Sequence, residues 1–327
     1  MFFPLDERWG LSGSVYSPGR AKQMVWLSGL LPYEQAAQVF ERIGHCAVPG
    51  VSIWRQTGSH GQRLQAYEAQ RQAAGKIERM VLPPAGLDHR RRKGISMDGG
   101  MMHLREEGWK EFKVGAVFDV EQRLERDPRT GEAVERAHST QIAYCAVVGS
   151  VEEFRPALWD LAVRHDVPQA ADSSGVGDGA EWIWNLANDC FPDSVQVVDW
   201  FHACEHLAGA ALALYPNDEN KAQRWFKQRC DDLFKGHVHT ITLWLENFGR
   251  SDLAAYFHKH KRRMRYQEFC EEGCPIGSGT VESGVKQFKA RLTGPGMQWT
   301  RSNAQTMLTV RGAVMANNFD TLWEAAA

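Results

Sequence analysis

The sequence predicts an α/β fold: a mixed sheet flanked by helices, a helical region ahead of it, and an all-helical block inserted after the last strand. Three observations carry this prediction. Between residues 94 and 150 three β-rich runs, "GISMDGG", "FKVGAVFDVE" and "TQIAYCAVVGS", follow one another with Gly or polar turns between them. A further β-branched run, "VQVVDWF", lies between two helical patterns, as a buried strand in an α/β unit does. From residue 200 to about 270 the pattern is helical, with no further strand.

From Gly19 to Ile43 the pattern is helical, and in "PYEQAAQVFERI" the residues Ala36, Ala37, Phe40 and Ile43 recur at helical spacing. After a break at "GHCAVPG", the stretch "VSIWRQTGSHGQRLQAYEAQRQAAGKIERM" carries one or two more helices. Helix, Gly-containing turn and helix make either a DNA-binding helix-turn-helix, with "VSIWRQTGSHGQR" reading the DNA, or a plain helical cap. "LPPAGLDHRRRKG" is a Pro- and Gly-containing linker and marks a boundary. The expected organisation is a helical region at 1–88, the first part of a catalytic core at 89–199, the helical insertion at 200–272, and the end of the core at 273–327.

Within the core, three successive strands suggest a meander. "VEEFRPALWDLAVRH" sets Val151, Phe154, Leu158 and Leu161 on one helical stripe. A second helix begins near Ala180, and "VQVVDWF" closes the order βββ-α-β-α-β. After the punctuation "EEGCPIGSG", "TVESGVKQFKARL" is an amphipathic helix with Val281, Val285, Phe288 and Leu292 as its stripe, and "TRSNAQTMLTVRGAVMANN" is another.

Composition narrows the class. The 38 Lys plus Arg against 40 Asp plus Glu give a near-neutral chain, so whole-chain charge does not by itself announce nucleic acid. The seven cysteines are odd in number and scattered without a CxxC pair, which argues against a disulfide framework and a zinc ribbon. The start "MFFPLDERWG" breaks with Pro and charge before a signal-peptide core can form. A cytoplasmic protein with no membrane partner is expected.

Three carboxylates stand at the ends of three elements: Asp98 in "SMDGGMMHL", Asp178 in "GVGDGAEW" and Glu282 in the first turn after "PIGSG". An Asp before Gly is most often a turn residue, and a Glu in a first helical turn is favoured by the helix dipole without any chemistry. Jointly they read differently, because two-metal phosphoryl transfer needs carboxylates converging from separate elements onto ions roughly 3.5–4 Å apart. An RNase H-like core supplies that convergence, with Gly99 and Gly100 leaving room for metal and phosphate beside the backbone.

These segments resemble bacterial DDE-type insertion-sequence transposases of the ISKra group, which are Mutator-like in layout. The resemblance is carried by "FPLDERWGLSGSVYSP", by "SMDGG" followed by "GWKEFKVGAVFD", by "GDGAEWIWNLANDCFPDSVQVVDWFHACEHL", and by "PIGSGTVESGVKQFKARLTGPGMQWTRSNAQTMLTVRG". It implies an RNase H-like catalytic core interrupted by a helical insertion, and a DDE triad on Asp98, Asp178 and Glu282. Two Mg²⁺ (or Mn²⁺) ions would be held there for DNA cleavage and strand transfer. Asp172 in "AADSSG" is a rival for the second acid. Many members carry a further segment ahead of the "PLDE" block. The resemblance also implies element-end and target double-stranded DNA as partners, a homo-oligomer, with paired ends held by a dimer, and a bacterial, cytoplasmic, nucleoid-associated location.

Mutator-like enzymes share a C/D-x-x-H motif after the last strand, supplied here by Asp199 and His202 in "DWFH", read as structural or supporting groups rather than metal ligands. Cys204 and His206 lie nearby, but no pair at zinc-finger spacing accompanies them. Candidate DNA contacts are Arg90, Arg91, Arg92 and Lys93 in "HRRRK", Lys261, Arg262 and Arg263 in "HKHKRRMR", Lys286 and Lys289 beside Glu282, and Trp299 with Arg301 in "GMQWTR". A solvated basic face, an ordinary Glu-to-Lys helix pair and a buried core Trp are the plainer roles for the same residues. The alternatives to a transposase are a shortened or domesticated DNA-binding protein and an RNase H-like nuclease that cleaves without strand transfer.

Overall fold

The computed structural model describes residues 15–77, 92–126 and 131–327. The β-rich runs form β1 (Arg92–Leu104), β2 (Gly108–Arg126), β3 (Ala133–Val147), β4 (Asp172–Gly177) and β5 (Val195–Val198). They make one five-stranded sheet of order β3-β2-β1-β4-β5. β1, β2 and β3 pair antiparallel as a meander, while β4 and β5 continue the sheet parallel to β1, so the expected mixed sheet is present. β1 is thus the strand at which the pairing changes from antiparallel to parallel.

Alternation along the strands builds a core on each face. On one face Ile95, Met97 and Val117 pack with Phe154, Leu158 and Leu161 of α4 (Val151–Arg164) and with α5 (Glu181–Cys190). On the other, Val114, Ala116 and Phe118 meet Val281, Val285, Phe288 and Leu292 of α11 (Gly279–Leu292). The apolar stripe expected for that last helix is therefore the face it buries. α4 starts with a capping box: Glu153 N–H donates to Ser150 Oγ at 3.3 Å, and Ser150 N–H donates to Glu153 Oε2 at 2.7 Å.

Between β5 and α11 lie α6 (Trp200–Leu214), α7 (Glu219–Phe234), α8 (Val238–Asn247), α9 (Ser251–His260) and α10 (Tyr266–Glu271). No strand interrupts them, as the sequence predicts for 200–272. Leu207, Trp225, Leu233, Ile241, Phe257 and Tyr266 join the core of the sheet's first face, so the block is packed onto the sheet.

The amino-terminal helices are α1 (Pro18–Leu30), α2 (Tyr33–Arg42) and α3 (Gly50–Ile77). Pro32 divides α1 from α2, where the sequence suggested one continuous helical pattern. Where one or two helices were expected after "GHCAVPG", α3 is a single helix of 28 residues. Its buried side, Ile53, Thr57, Gly61 and Leu64, turns inward, and α3 packs on α12 (Arg301–Met315). At Gly61 a Cβ would come within 2.5 Å of Thr306 Cγ2, so the close crossing requires glycine there. Ala21, Val25 and Leu64 share a core with Val310, Ala313 and the residues Phe319, Leu322 and Trp323 of α13 (Phe319–Ala325). The stretch 51–63, read as a DNA-reading helix, thus has one face occupied by α12, leaving Val51 and Trp54 among its exposed residues. None of the described helices is long and apolar enough to cross a membrane.

One buried cation ties this helical region to the core. The Arg291 guanidinium of α11, only 2% exposed, donates from Nε to Ser28 O at 2.7 Å and lies 5.1 Å from the Tyr33 ring and 5.4 Å from that of Trp299. A lysine keeps the charge but not the planar stacking. Arg291→Lys is expected to lower unfolding free energy by about 1–2 kcal/mol, from the lost stacking and one poorer hydrogen bond. Urea denaturation measures this; an unchanged midpoint would remove Arg291 as the tie.

Candidate active site

Strand register brings three aspartates into a row. Ser96 pairs with Val176, and Val176 with Val197, in the parallel part of the sheet. Two residues further along each strand come Asp98, Asp178 and Asp199. The ladder continues in that direction, since Asp199 N–H donates to Gly177 O at 2.8 Å. The row lies at the carboxyl ends of β4 and β5, where α/β sheets open a crevice for ligands.

Each aspartate is fixed differently. Asp98, half-buried, accepts from Gly99 N–H at 2.6 Å through Oδ1. Asp178 accepts from Ala180 N–H at 2.8 Å and so turns the chain into α5. Between them Gly179 has φ +102°, a backbone region reserved for glycine, with the Tyr256 ring of α9 against it. Asp199 is fully buried and caps α6, accepting from His202 N–H at 2.7 Å through Oδ1, while its Oδ2 accepts from Ser278 N–H. Ser278 in turn donates from Oγ to Glu282 Oε1 at 2.9 Å. A short relay thus runs from the end of β5 to the first turn of α11, and it holds Glu282 beside the row.

Electrostatics shows the acids acting on one another. Burial raises the Asp98 pKa above the ordinary carboxylate range; the Gly99 N–H opposes this, and the charges of Asp178 and Glu282 add to it. Burial pulls His202 down, but the Asp199 carboxylate, through charge and a 3.3 Å contact to Nδ1, outweighs it, with Asp178 and Glu205 adding, and the net pKa is raised. His202, Asp199 and Glu282 each offer a ligand atom, and these atoms lie within 4.8 Å of one another.

The helical insertion returns to the same place. Tyr256 OH donates to Asp178 O at 3.5 Å, and its ring stacks on His206 at 3.7 Å between centroids. Nearby His260, 2% exposed, faces Trp184, Tyr256 and the cationic Arg263 and Lys259, with His206 beyond. Burial first, then Arg263 and Lys259, lowers its pKa from 6.5 to about 4. Between those pH values the unfolded chain binds a proton that the folded chain refuses, so stability falls as pH falls through that window. His260→Phe is expected to flatten this slope, removing up to about 3 kcal/mol of acid sensitivity; chemical denaturation at pH 7 and pH 4.5 measures it, and equal slopes in both proteins would refute the assignment.

The remaining predicted residues divide. Asp172, the rival acid, sits at the opposite end of β4 from Asp178 and pairs with Arg92 at 2.8 Å. Arg90 and Arg91 lie outside the described residues. Lys93 is buried in β1 and paired with Asp119, and Arg92 also donates to Glu272 O, so both are engaged within the fold rather than offered to phosphates. Trp299 is a core residue, donating from Nε1 to Leu292 O at 2.8 Å, so of its two readings the buried core Trp holds rather than the base-stacking contact. Arg301 is held by Glu107 and by Val148 O at 2.8 Å. Arg263 bonds Gln196 at 2.8 Å and covers the Trp184 ring, whereas Lys261 and Arg262 are exposed. Lys286 lies 3.7 Å from Glu282, and the Lys289 stem passes over Gly100. The room expected at the glycine pair is already filled: a Cβ on Gly100 would strike the Phe112 ring, and one on Gly99 the Glu111 carboxylate. Cys204 adjoins the Cys230 thiol of α7.

Sequence reasoning missed Ser278, Tyr256 and Glu205. Ser278 stood in the quoted "PIGSG", but its hydroxyl gains meaning only once Asp199 is beside it. No protein-family model matches the chain, and no curated protein matches it at a significant level.

Proposed function

We propose that the chain is a metal-dependent DNA transposase of the DDE type, with an RNase H-like core and a layout like that of the ISKra, Mutator-like insertion-sequence enzymes. One observation carries the proposal: Asp98 on β1, Asp178 just past β4 and Glu282 in the first turn of α11 come near enough that the charges of Asp178 and Glu282 act on Asp98. The mixed sheet of order β3-β2-β1-β4-β5, an antiparallel meander continued by two parallel strands, supports an α/β core of this kind.

The donor set fits divalent cations. Hard oxygen ligands from separate elements suit Mg²⁺ or Mn²⁺, and burial raises Asp98 with the charges of Asp178 and Glu282 adding a repulsion of the kind a cation relieves. Asp98, Asp178 and Glu282 would hold the ions, two in a site of this class, which would stabilise charge on the attacking and leaving oxygens of an in-line displacement at phosphorus. The chain's own part is to fix the three carboxylates. Gly99 N–H orients Asp98, the turn into α5 orients Asp178, and the Asp199–Ser278 relay orients Glu282. Among the described candidates, Lys286 and Lys289 on the same helix, with exposed Lys261 and Arg262, would meet the DNA backbone. Paired element ends call for a homodimer working on double-stranded DNA in the bacterial cytoplasm.

Purified protein with Mg²⁺ or Mn²⁺ and labelled element-end duplex tests the reading. Strand-transfer product is the expected result. Cleavage without joining would mean an RNase H-like nuclease, and binding without either a DNA-binding protein that has left transposition behind.

A further inference from the structure

We infer that His202 is itself a metal ligand: its imidazole Nε2 joins Glu282 around one divalent cation, with buried Asp199 behind it as the orienting carboxylate. This rests on the transposase reading for the role of Glu282, but it adds a nitrogen donor to what would otherwise be an all-oxygen site.

Geometry carries the inference. Donor atoms bound to one small cation at about 2.0–2.2 Å stand no more than about 4.4 Å apart. One ligand atom each from Asp199, Glu282 and the His202 imidazole, through one or other ring nitrogen, already lie within 4.8 Å of one another without an ion. Asp199 has both oxygens engaged, Oδ1 by His202 and Oδ2 by Ser278 N–H, and has no exposure, so it is the least available of the three to coordinate directly. His202 is the reverse case. Its Nδ1 faces Asp199 Oδ1 at 3.3 Å, and its Nε2 has no hydrogen-bond partner among the described residues. A carboxylate on one ring nitrogen and an ion on the other is the arrangement that fixes tautomer and ring direction in metal-bound histidines. The Asp199 carboxylate thus has two tasks, holding Ser278 and Glu282 on one side and aiming His202 on the other.

An imidazole donor changes which ion the site prefers. Mg²⁺ favours oxygen ligands and keeps its waters, whereas first-row transition ions accept imidazole readily. The ion at Glu282 and His202 is therefore Mn²⁺ in preference to Mg²⁺.

Electron paramagnetic resonance of the full chain with Mn²⁺ and no DNA reads this without any activity. Nitrogen modulation from a bound imidazole is expected in the parent. It should vanish in His202→Ala and in His202→Gln, with Mn²⁺ affinity about 10–100-fold lower, and persist in His206→Ala, which alters the neighbouring exposed histidine of the same helix. Circular dichroism shows whether each variant is folded, and the His202→Gln protein serves if the alanine variant is not. No nitrogen signal in the parent, or one that survives loss of His202, overturns the inference. The two proposals fail separately: nitrogen coordination in a protein that neither cuts nor joins DNA with any ion defeats the transposase reading alone, and DNA joining without nitrogen coordination defeats this one alone.

Discussion

Asp98→Asn is expected to reduce DNA cleavage by about 10²–10³-fold or more while leaving the protein at least as stable as the parent. The two halves of that result have one cause. Asn is the same size and its amide oxygen still accepts from Gly99 N–H, so nothing in the packing of β1 changes. What it removes is a negative charge that burial and the charges of Asp178 and Glu282 all oppose. Because the folded-state pKa is raised above the unfolded one, the ionised form costs the fold at neutral pH. The variant's gain in stability should be present above the folded pKa of Asp98 and disappear as pH falls below the ordinary carboxylate value. Thermal melting across pH 3–7 beside a nicking assay checks both, and wild-type cleavage by the Asn variant would end the assignment of Asp98 to the reaction. Glu282→Gln should behave alike in the nicking assay, since it keeps an acceptor for Ser278 Oγ.

Part of the candidate site was legible in the sequence. Asp178 and Glu282 do stand at element ends, just past β4 and in the first turn of α11, whereas Asp98, read at the end of a short strand, lies in the middle of β1, opposite Val114 of β2. The stripe of Val281, Val285, Phe288 and Leu292 is a local property of one helix, and the structure buries that stripe. Cross-chain facts were not legible. That Trp299 would be sealed beside Leu292 and Arg291, or that Lys93 would find Asp119, depends on which partner a residue meets across the fold. A basic or aromatic residue in a short window carries no mark of whether its partner is a phosphate or a carboxylate of the same chain. The glycines after Asp98 teach the same lesson, since their missing side chains make way for Phe112 and Glu111 rather than for a ligand.

Asp199 is where stability and chemistry meet, and Asp199→Ala is expected to cost about 3–5 kcal/mol of unfolding free energy. The side chain is wholly buried, so the groups it satisfies have no water to turn to. Its removal leaves His202 N–H at the start of α6 and Ser278 N–H ahead of α11 without their acceptor, each worth about 1–3 kcal/mol when buried and unpaired. Asp199→Asn separates the two contacts. Its oxygen can still cap α6, but its amide nitrogen then meets the Ser278 N–H as donor against donor, so it should lose about half as much. Equilibrium denaturation in urea ranks parent, Asn and Ala. The same series should reach the reaction, because the loop that loses Asp199 is the one that carries Ser278 and aims Glu282 at Asp98. An alanine variant within about 1 kcal/mol of the parent would mean that Asp199 is not the strut between β5 and α11, since even a single lost cap costs that much; the position of Glu282 would then need another cause.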